Sequence, residues 1–366
     1  MIHAMRMLTR MLTWIRVPLA ASVVALLVSP LPRTQTPPTP VAAAPAVATA
    51  SERPFLWRLE GPTPSYLFGT IHLPDERVTK FGPAVRAALD GCDALFTELP
   101  MELGELMKMQ PATQLPKGED LAGVLGEELY ARVAAYVVGK GKKMAMFDRA
   151  QPWAVATQLG MLDQLDAMMT KLPLDMQIYS AAKKAKKVVG GLETVDEQLA
   201  VFGGLTVAEQ RALVGSTIDR LEQDAREGKS SIERLLQVYL RGDEAGIDKE
   251  MNEFKMGDEA LRKKLMGRLL ADRNLHMADR IVRHVQEHPE RCHVFAVGAA
   301  HYPGELGLLQ LLSARGYRLV RLDLADPAAA QAREAEALDA EIARRSAEVD
   351  KLKARRERLQ PVGSGR

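Results

Sequence analysis

The chain has 366 residues, of which 47% are hydrophobic, so it can bury one large core or two ordinary ones. Lysine and arginine together number 49, and aspartate and glutamate 47, which leaves no global basic field to attract nucleic acid. Two basic clusters, GKGKK (139–143) and KKAKK (183–187), are typical of solvated helix faces. We therefore expect no nucleic-acid partner.

The N-terminal segment is typical of an export signal. Three arginines precede an apolar core of 12 residues from Val17 to Val28, which is shorter than the roughly 20 residues of a membrane-spanning helix. Small-residue cleavage sites lie far from this core, so residues 1–28 could be a cleaved signal peptide or a retained inner-membrane anchor. Residues 29–53 are rich in proline and alanine and predict an extended linker. We expect a periplasmic or secreted protein, with membrane association through an uncleaved N-terminus as the alternative.

From residue 54 onwards, short apolar strands alternate with helical segments. The stretch from 103 to 180 is helical and rich in methionine, and further helices are predicted over 206–240 and 257–288. The strands are predicted in FLWRLEGPTPSYLFGTIHL (two strands around a Gly-Pro turn), DALFTELP, KKVVGGLET, RCHVFAVG and YRLVRL. This alternation predicts an α/β fold over 54–324, in which helices cover a parallel-rich sheet and a large helical insertion interrupts it.

Residues 325–366 are predicted to form a charged helical tail with an interrupted heptad seam. Arg345 and Arg356 occupy two positions of that seam. The apolar positions of the seam are Leu338, Ile342, Val349, Leu352 and Leu359. The tail could therefore self-associate as a short coiled coil, although the two charges favour a mostly solvated helix.

The two cysteines, Cys92 and Cys292, both stand near the predicted start of a strand. If those strands are neighbours in a parallel sheet, the thiols could form a disulfide in an oxidising compartment. The alternative is that they are two small buried residues that never touch.

Two distant segments each run an apolar strand into Gly-x-x-His. YLFGTIHLP contains Gly69 and His72, and VFAVGAAHYPGELG contains Gly298 and His301. In an open α/β sheet, ligands gather beyond the carboxyl ends of the strands, so the topology can bring the two histidines together. The glycines would let the backbone turn tightly beside a ligand.

Two imidazoles and one carboxylate form a familiar site for a divalent transition metal. Glu98 in LFTELP and Glu193 in GLETVDEQ follow strands and are the candidate carboxylates. A metal-bound water could then hydrolyse a substrate, with a second carboxylate as general base. Taken alone, each histidine is better explained by a structural role, and each glutamate could equally bond a helix N-terminus.

Five segments, taken in order, resemble the TraB/GumN family, whose animal relatives include the Tiki proteases. They are YLFGTIHLP, ALFTELP, GLETVDEQLAVF, LLADRNLHMADRI and VFAVGAAHYPGELGLLQLLSARGYRLVRL. The resemblance covers about 54–324 and implies a Tiki/erythromycin-esterase-like α/β fold. For the Tiki branch it also implies metal-dependent proteolysis, with manganese or cobalt favoured over zinc.

Position by position, the resemblance implies a metal site made of His72, His301 and Glu98. It implies catalytic roles for Glu98, Glu193, Arg273 and Asn274. Arg273 could pair with a site carboxylate, stabilise a developing oxyanion, or be an ordinary cation on a helix surface. Glu193 could be a ligand, a supporting acid or merely a helix-start residue.

These observations favour an exported metal-dependent hydrolase that acts on a peptide or protein substrate. The alternative is a non-catalytic envelope protein that holds a small ligand, such as haem or a saccharide, in the same cleft. A third interpretation gives the chain an interaction role only, through the tail.

Overall fold

The computed structural model describes residues 53–254 and 256–322, together with positions 346, 349, 350 and 353. The predicted leader and nearly all of the predicted linker lie outside the described residues, as does the tail except for those four positions, which are helical and exposed. Within the described part of the chain, no helix combines the length and the apolar character that a membrane span requires. Self-association through the tail stays a prediction.

Six strands form one mixed sheet in the order β4-β3-β5-β2-β1-β6. They are β1 (Leu56–Leu59), β2 (Ser65–Thr70), β3 (Ala94–Thr97), β4 (Val188–Gly191), β5 (His293–Gly298) and β6 (Leu319–Arg321). The four strands β4, β3, β5 and β2 are parallel neighbours. β1 instead pairs antiparallel with both β2 and β6. The α/β class and the strand segments are confirmed, whereas the specific Tiki/esterase-like arrangement stays a prediction.

Fifteen α-helices are present in the described residues. They are α1 (Glu76–Thr79), α2 (Pro83–Gly91), α3 (Leu103–Met107), α4 (Leu121–Leu125), α5 (Glu127–Gly139), α6 (Pro152–Leu159), α7 (Leu165–Met168), α8 (Leu174–Lys184), α9 (Val195–Ala200), α10 (Val207–Arg226), α11 (Ser231–Leu240), α12 (Glu244–Glu253), α13 (Glu259–Met266), α14 (Asp272–Glu287) and α15 (Leu308–Ala314). One π-helical turn, Gly267–Ala271, joins α13 to α14.

The strand β5 is buried along its whole length. All six of its residues are buried, and its sequence HVFAVG is a nearly continuous apolar run. Such a run is typical of a parallel strand that is covered on both sides. α14 supplies part of the cover, since Met277, Ile281 and Val285 fall on one buried stripe with helical spacing.

Two hydrophobic cores follow from this arrangement. The first surrounds the sheet and includes residues of α2, α8, α14 and α15. The second lies inside the helical insertion and is built mainly from α4, α5, α6, α10 and α13. The predicted insertion therefore has its own apolar interior.

The predicted helical region 206–240 is two helices. Gly228 adopts a positive φ of 62° after α10, and the Ser230 side chain accepts a hydrogen bond from the Glu233 backbone N–H at the start of α11. Glycine tolerates this conformation and serine caps a new helix, so the chain stops one helix and begins another within a few residues.

Cys92 and Cys292 are joined by a disulfide. Cys92 directly follows α2 and Cys292 directly precedes β5, and the parallel pairing of β3 with β5 places their Cα atoms 4.6 Å apart. Of the two alternatives that the sequence left open, the bridged one is correct. The bridge closes a loop across a sequence separation of 200 residues.

Replacing both cysteines by serine is expected to lower the free energy of unfolding by about 2–5 kcal/mol, because the bridge restricts the unfolded chain. Denaturant unfolding of the wild type and the double variant measures the difference. A reductant should destabilise the wild type and leave the Cys92→Ser/Cys292→Ser protein unchanged. Equal unfolding midpoints for oxidised and reduced wild type would contradict the expectation.

His293 begins β5 and is a fully buried imidazole. Its Nδ1 lies 3.3 Å from Ser65 Oγ, whereas its Nε2 has no hydrogen-bond partner within the described structure. The ring stacks on Phe295 with 5.5 Å between the ring centroids. Burial lowers the pKa of His293 to about 4 from an ordinary value of 6.5, so the folded protein holds this ring neutral at pH 7.

Acidification is therefore expected to destabilise the fold through His293. The unfolded chain takes up a proton near pH 6.5 and the folded chain only near pH 4, so stability falls as the pH drops between these values, by on the order of 2–3 kcal/mol. Denaturant unfolding at several pH values should show this loss reduced in His293→Phe and retained in the exposed control His276→Phe. Parallel pH curves for wild type and His293→Phe would exclude His293 as the cause.

Candidate functional site

Four parallel strands deliver polar side chains to one edge of the sheet. Thr70 is paired with Gly298 across β2 and β5, so these two strands end at the same level. Thr97 at the end of β3 is paired with Gly191 at the end of β4. The residues that follow the four strand ends are His72 after β2, Glu98 after β3, Glu193 after β4 and His301 after β5. This is the edge at which ligands bind in open α/β sheets.

The side chains of the two histidines approach the same carboxylate oxygen. His72 Nε2 and His301 Nε2 each lie 3.8 Å from Glu98 Oε1. Glu98 and His301 are buried, whereas the side chain of His72 is 29% exposed and forms the side of the site that is open to solvent. The predicted convergence of the two Gly-x-x-His segments is thus present in the structure.

A hydrogen bond at Nδ1 fixes the orientation of each imidazole. His72 Nδ1 lies 2.7 Å from Asp175 Oδ2, and the Thr70 hydroxyl donates to Asp175 Oδ1 at 2.5 Å. His301 Nδ1 lies 2.6 Å from Asn274 Oδ1, while Asn274 Nδ2 donates to a backbone carbonyl at 2.7 Å. Because the partner atoms are acceptors, the ring proton is assigned to Nδ1, which leaves the lone pair of each neutral ring on Nε2.

Arg273 lies between two carboxylates, and together with Gln198 these residues are here called the Arg273 cluster (Glu98, Glu193, Gln198 and Arg273). Arg273 Nη2 donates to Glu98 Oε2 and to Glu193 Oε2, at 2.6 Å in both cases. Its Nε donates to Glu193 Oε1 at 2.9 Å, and its Nη1 to the Leu269 carbonyl at 3.1 Å. Every guanidinium nitrogen is engaged in the protein, so Arg273 pairs with site carboxylates and is not a helix-surface cation.

The π-helical turn positions Arg273. The turn Gly267–Ala271 precedes α14, and Arg273 and Asn274 are the second and third residues of that helix. Both residues are buried, one directed to the carboxylates and the other to His301. Such turns are rare and recur at functional sites, where they redirect side chains.

The Arg273 cluster shifts the pKa values of its two carboxyl groups in opposite directions. Burial alone would raise the pKa of Glu98, but Arg273 and the nearby imidazoles hold it well below its usual range. Burial raises the pKa of Glu193 above its ordinary value, and the hydrogen bonds from Arg273 only partly oppose this. One guanidinium thus faces two acids, of which Glu98 is the ionised one and Glu193 the more easily protonated one.

The two imidazoles also differ in charge. Desolvation would lower the pKa of His72, but the Asp175 carboxylate raises it to about 9. Desolvation and the charge of Arg273 lower the pKa of His301 to about 3. At neutral pH His301 is therefore a neutral ring. His72 carries a second ring proton, and with it a positive charge, unless another cation replaces that proton.

The two glycines of the paired motifs serve different purposes. A Cβ at Gly298 would lie 3.0 Å from Glu98 Oε1 and 3.7 Å from His72 Nε2, and the Gly298 N–H donates to Glu98 Oε1 at 2.7 Å. Gly298 therefore allows the backbone to approach the site, as expected. Gly69 is the second-last residue of β2, and a Cβ there would meet Phe55 at 2.6 Å, so its backbone approaches Phe55 closely, while its role beside a ligand stays a prediction.

His72, Glu98 and His301 are chemically suited to bind a metal ion, although they are not arranged as a complete metal site. Among the described residues, no group of three or more histidine, cysteine, aspartate or glutamate side chains is placed so that it could hold a metal ion. The donor set is nevertheless two anchored imidazoles that present Nε2, together with an ionised carboxylate oxygen. Divalent transition metals prefer such donors, and His72, Glu98 and His301 would have to draw closer to share one ion.

The sequence analysis missed Gln198 of the Arg273 cluster and, beside His72, Asp175. The position of Asp175 shows why. Asp175 lies in the first turn of α8, is buried, and contacts both Thr70 and His72. The only signal was an acid in the segment KLPLDMQI, two residues after the proline that precedes α8. An acid in the first turn of a helix is usually a capping feature, so this signal does not separate Asp175 from ordinary helix starts.

Comparison with known proteins places this geometry in a family. The TraB/PrgY/gumN family model matches residues 55–321. The "Metalloprotease TIKI homolog" of Amphimedon queenslandica is 25% identical over 321 residues, which cover 76% of this chain and 63% of the relative. "Metalloprotease TIKI1" of Danio rerio is 26% identical over 320 residues, covering 75% of this chain and 64% of the relative.

A bacterial relative, an "Uncharacterized protein" of Treponema pallidum (strain Nichols), is 21% identical and is matched over 84% of its length. The chain spans less than two thirds of the length of the Tiki relatives named above. No solved structure matches the chain. The family match covers most of the described residues and includes all four strand ends that form the site, so the chain belongs to the TraB/PrgY/gumN family.

Proposed function

We propose that this protein is an exported metal-dependent hydrolase that cleaves peptide bonds. The observation that carries the proposal is the convergence of His72 Nε2 and His301 Nε2 on Glu98 Oε1, each at 3.8 Å. The animal relatives are named metalloproteases, which supports a protein or peptide substrate. Export to the periplasm or beyond rests on the leader sequence, and the preference for manganese or cobalt over zinc rests on the family resemblance.

His72, His301 and Glu98 would hold the metal. When bound, a divalent metal polarises a carbonyl and lowers the pKa of a water molecule toward ~7, which together suffice for hydrolysis. The exposed side of His72 is where the substrate would enter, because Glu98 and His301 are buried.

Asp175 and Asn274 are positioning residues in this proposal. Each accepts a hydrogen bond from the Nδ1–H of one histidine and so keeps the ring in the tautomer that presents Nε2. Partners of this kind orient metal-binding histidines and raise their basicity. Asn274 would thus act through His301, without touching the substrate.

Glu193 is the candidate proton carrier of the site. Its pKa is raised by burial, and its backbone N–H donates to the Glu98 carbonyl, which keeps the two acids adjacent. A carboxyl group with a raised pKa accepts a proton more readily than an ordinary one and can return it. Arg273 acts by holding Glu98 and Glu193 in place, since its nitrogens are already bonded within the protein.

Replacing either His72 or His301 by alanine is expected to abolish stoichiometric binding of manganese or cobalt and to reduce peptide cleavage by more than about 100-fold, because a metal ligand is lost. Metal analysis and digestion of a peptide library with and without chelator measure both effects. His276→Ala is the matched control, because His276 is an exposed histidine on α14.

Retained metal binding and cleavage in folded His72→Ala and His301→Ala proteins would reject the proposal. A protein that binds no metal but shifts the absorbance of haemin in a manner dependent on His72 would instead favour the non-catalytic ligand-binding alternative. Circular dichroism confirms the folding of each variant.

Asp175→Asn is expected to weaken metal binding by about 10–100-fold, because the neutral amide no longer supports the basicity of His72. The affinity is measured by competition with a metal indicator dye. Asp196→Asn, which alters an exposed acid in the first turn of α9, should bind metal like the wild type. If Asp175→Asn and Asp196→Asn bind equally well, Asp175 has no positioning role.

A further inference from the structure

The helical insertion contains a cavity of about 410 Å³. Its walls are mostly apolar and include the stacked pair Trp153 and Phe202, whose ring centroids are 4.5 Å apart, and the methionines Met109 and Met256. Protein interiors are normally packed without voids much larger than a water molecule. A space of this size falls within the range of small-molecule pockets, and methionine side chains adapt to irregular ligands.

The cavity is distinct from the histidine site. His72, Glu98 and His301 do not line it, whereas Arg273 and Gln198 do. The Arg273 cluster therefore contacts the histidine site through Glu98 and contacts the cavity through these two side chains.

The polar groups in the cavity wall are already bonded to other protein groups. The Thr157 and Thr217 hydroxyls donate to backbone carbonyls within their own helices, and Lys140 pairs with Asp163. Asp224 accepts hydrogen bonds from the Ser231 hydroxyl and from two arginines. A peptide backbone in this space would leave many of its own groups without partners, which is costly. A hydrocarbon chain has no such requirement.

The mouth of the cavity suits a polar head group. Ala225, Lys229 and Ser230 line the cavity and are exposed to solvent, so they mark its opening. Lys229 provides a cation beside this opening, where its ammonium group pairs with the exposed Glu227 carboxylate at 2.6 Å and a ligand carboxylate would share it. A carboxylate there would remain hydrated and would lie close to a positive charge.

We infer that this cavity is a binding site for a single-chain fatty acid, whose acyl chain lies among Trp153, Phe202 and the methionines and whose carboxylate remains at the mouth near Lys229. The inference does not rest on the proposed hydrolase activity, since the two sites share no metal-binding candidate. Buried apolar area drives the binding, so the affinity should increase with chain length.

Isothermal titration of the full chain with dodecanoic acid tests the inference, with butanoic acid as the short-chain control. Saturable binding of one dodecanoic acid per protein and no detectable binding of butanoic acid are expected. Ala225→Trp should weaken the binding by about tenfold or more, because the large ring obstructs the mouth. Ala208→Trp is the matched control, since Ala208 is an exposed alanine on the same helix, α10, that does not line the cavity.

Absence of saturable binding would overturn the inference, and so would equal affinities for Ala225→Trp and Ala208→Trp. If Ala225→Trp fails to fold by circular dichroism, Ile232→Asp replaces it, because this change places a charge on the partly buried cavity wall. Binding is measured after treatment with a chelator, so a failure of metal-dependent activity leaves this result unaffected.

Discussion

A single buried cation, the Arg273 guanidinium, holds together the carboxylates on which the site depends. Arg273 is 6% exposed and bonds both Glu98 and Glu193, which are 4% exposed. A buried carboxylate without a partner would lose several kcal/mol of hydration free energy or would become protonated. Because Glu98 is kept ionised and its Oε1 is also fixed by the Gly298 N–H, one oxygen stays at the point where the two histidines meet. The geometry of the histidine site therefore depends on the compensation of the Glu98 charge by Arg273, which lies at a distance from the imidazoles.

The sheet order makes this compensation possible. Glu98 and Glu193 follow the adjacent parallel strands β3 and β4, while the two histidines follow β5 and β2. Adjacent parallel strands end at the same edge, so residues far apart in the chain become neighbours without a long connecting loop. The disulfide between Cys92 and Cys292 lies at the opposite ends of β3 and β5, where it ties together the two strands that carry Glu98 and His301. The register of β3 and β5 thus accounts both for the proximity of Glu98 to His301 and for the disulfide.

The sequence predicted the parts of this structure that have strong local signals. Apolar runs predicted the six strands, and the repeated Gly-x-x-His element predicted that His72 and His301 would meet. Asp175 was not predictable, because its contact with His72 spans 103 residues and its local pattern is that of any helix start. The close approach of Phe55 to Gly69 was not predictable for a similar reason, since it is a tertiary contact that no local pattern records. Local chemistry predicted which residues lie at the strand ends, whereas their supporting partners were set by tertiary packing.

Arg273 also gives the helical insertion a direct physical connection to the sheet edge. Its side chain lines the apolar cavity and at the same time bonds Glu98, and Gln198 makes the same two contacts. Charged hydrogen bonds inside a protein are strong and directional, so the contact between Arg273 and Glu98 holds one part of the cavity wall against the sheet edge.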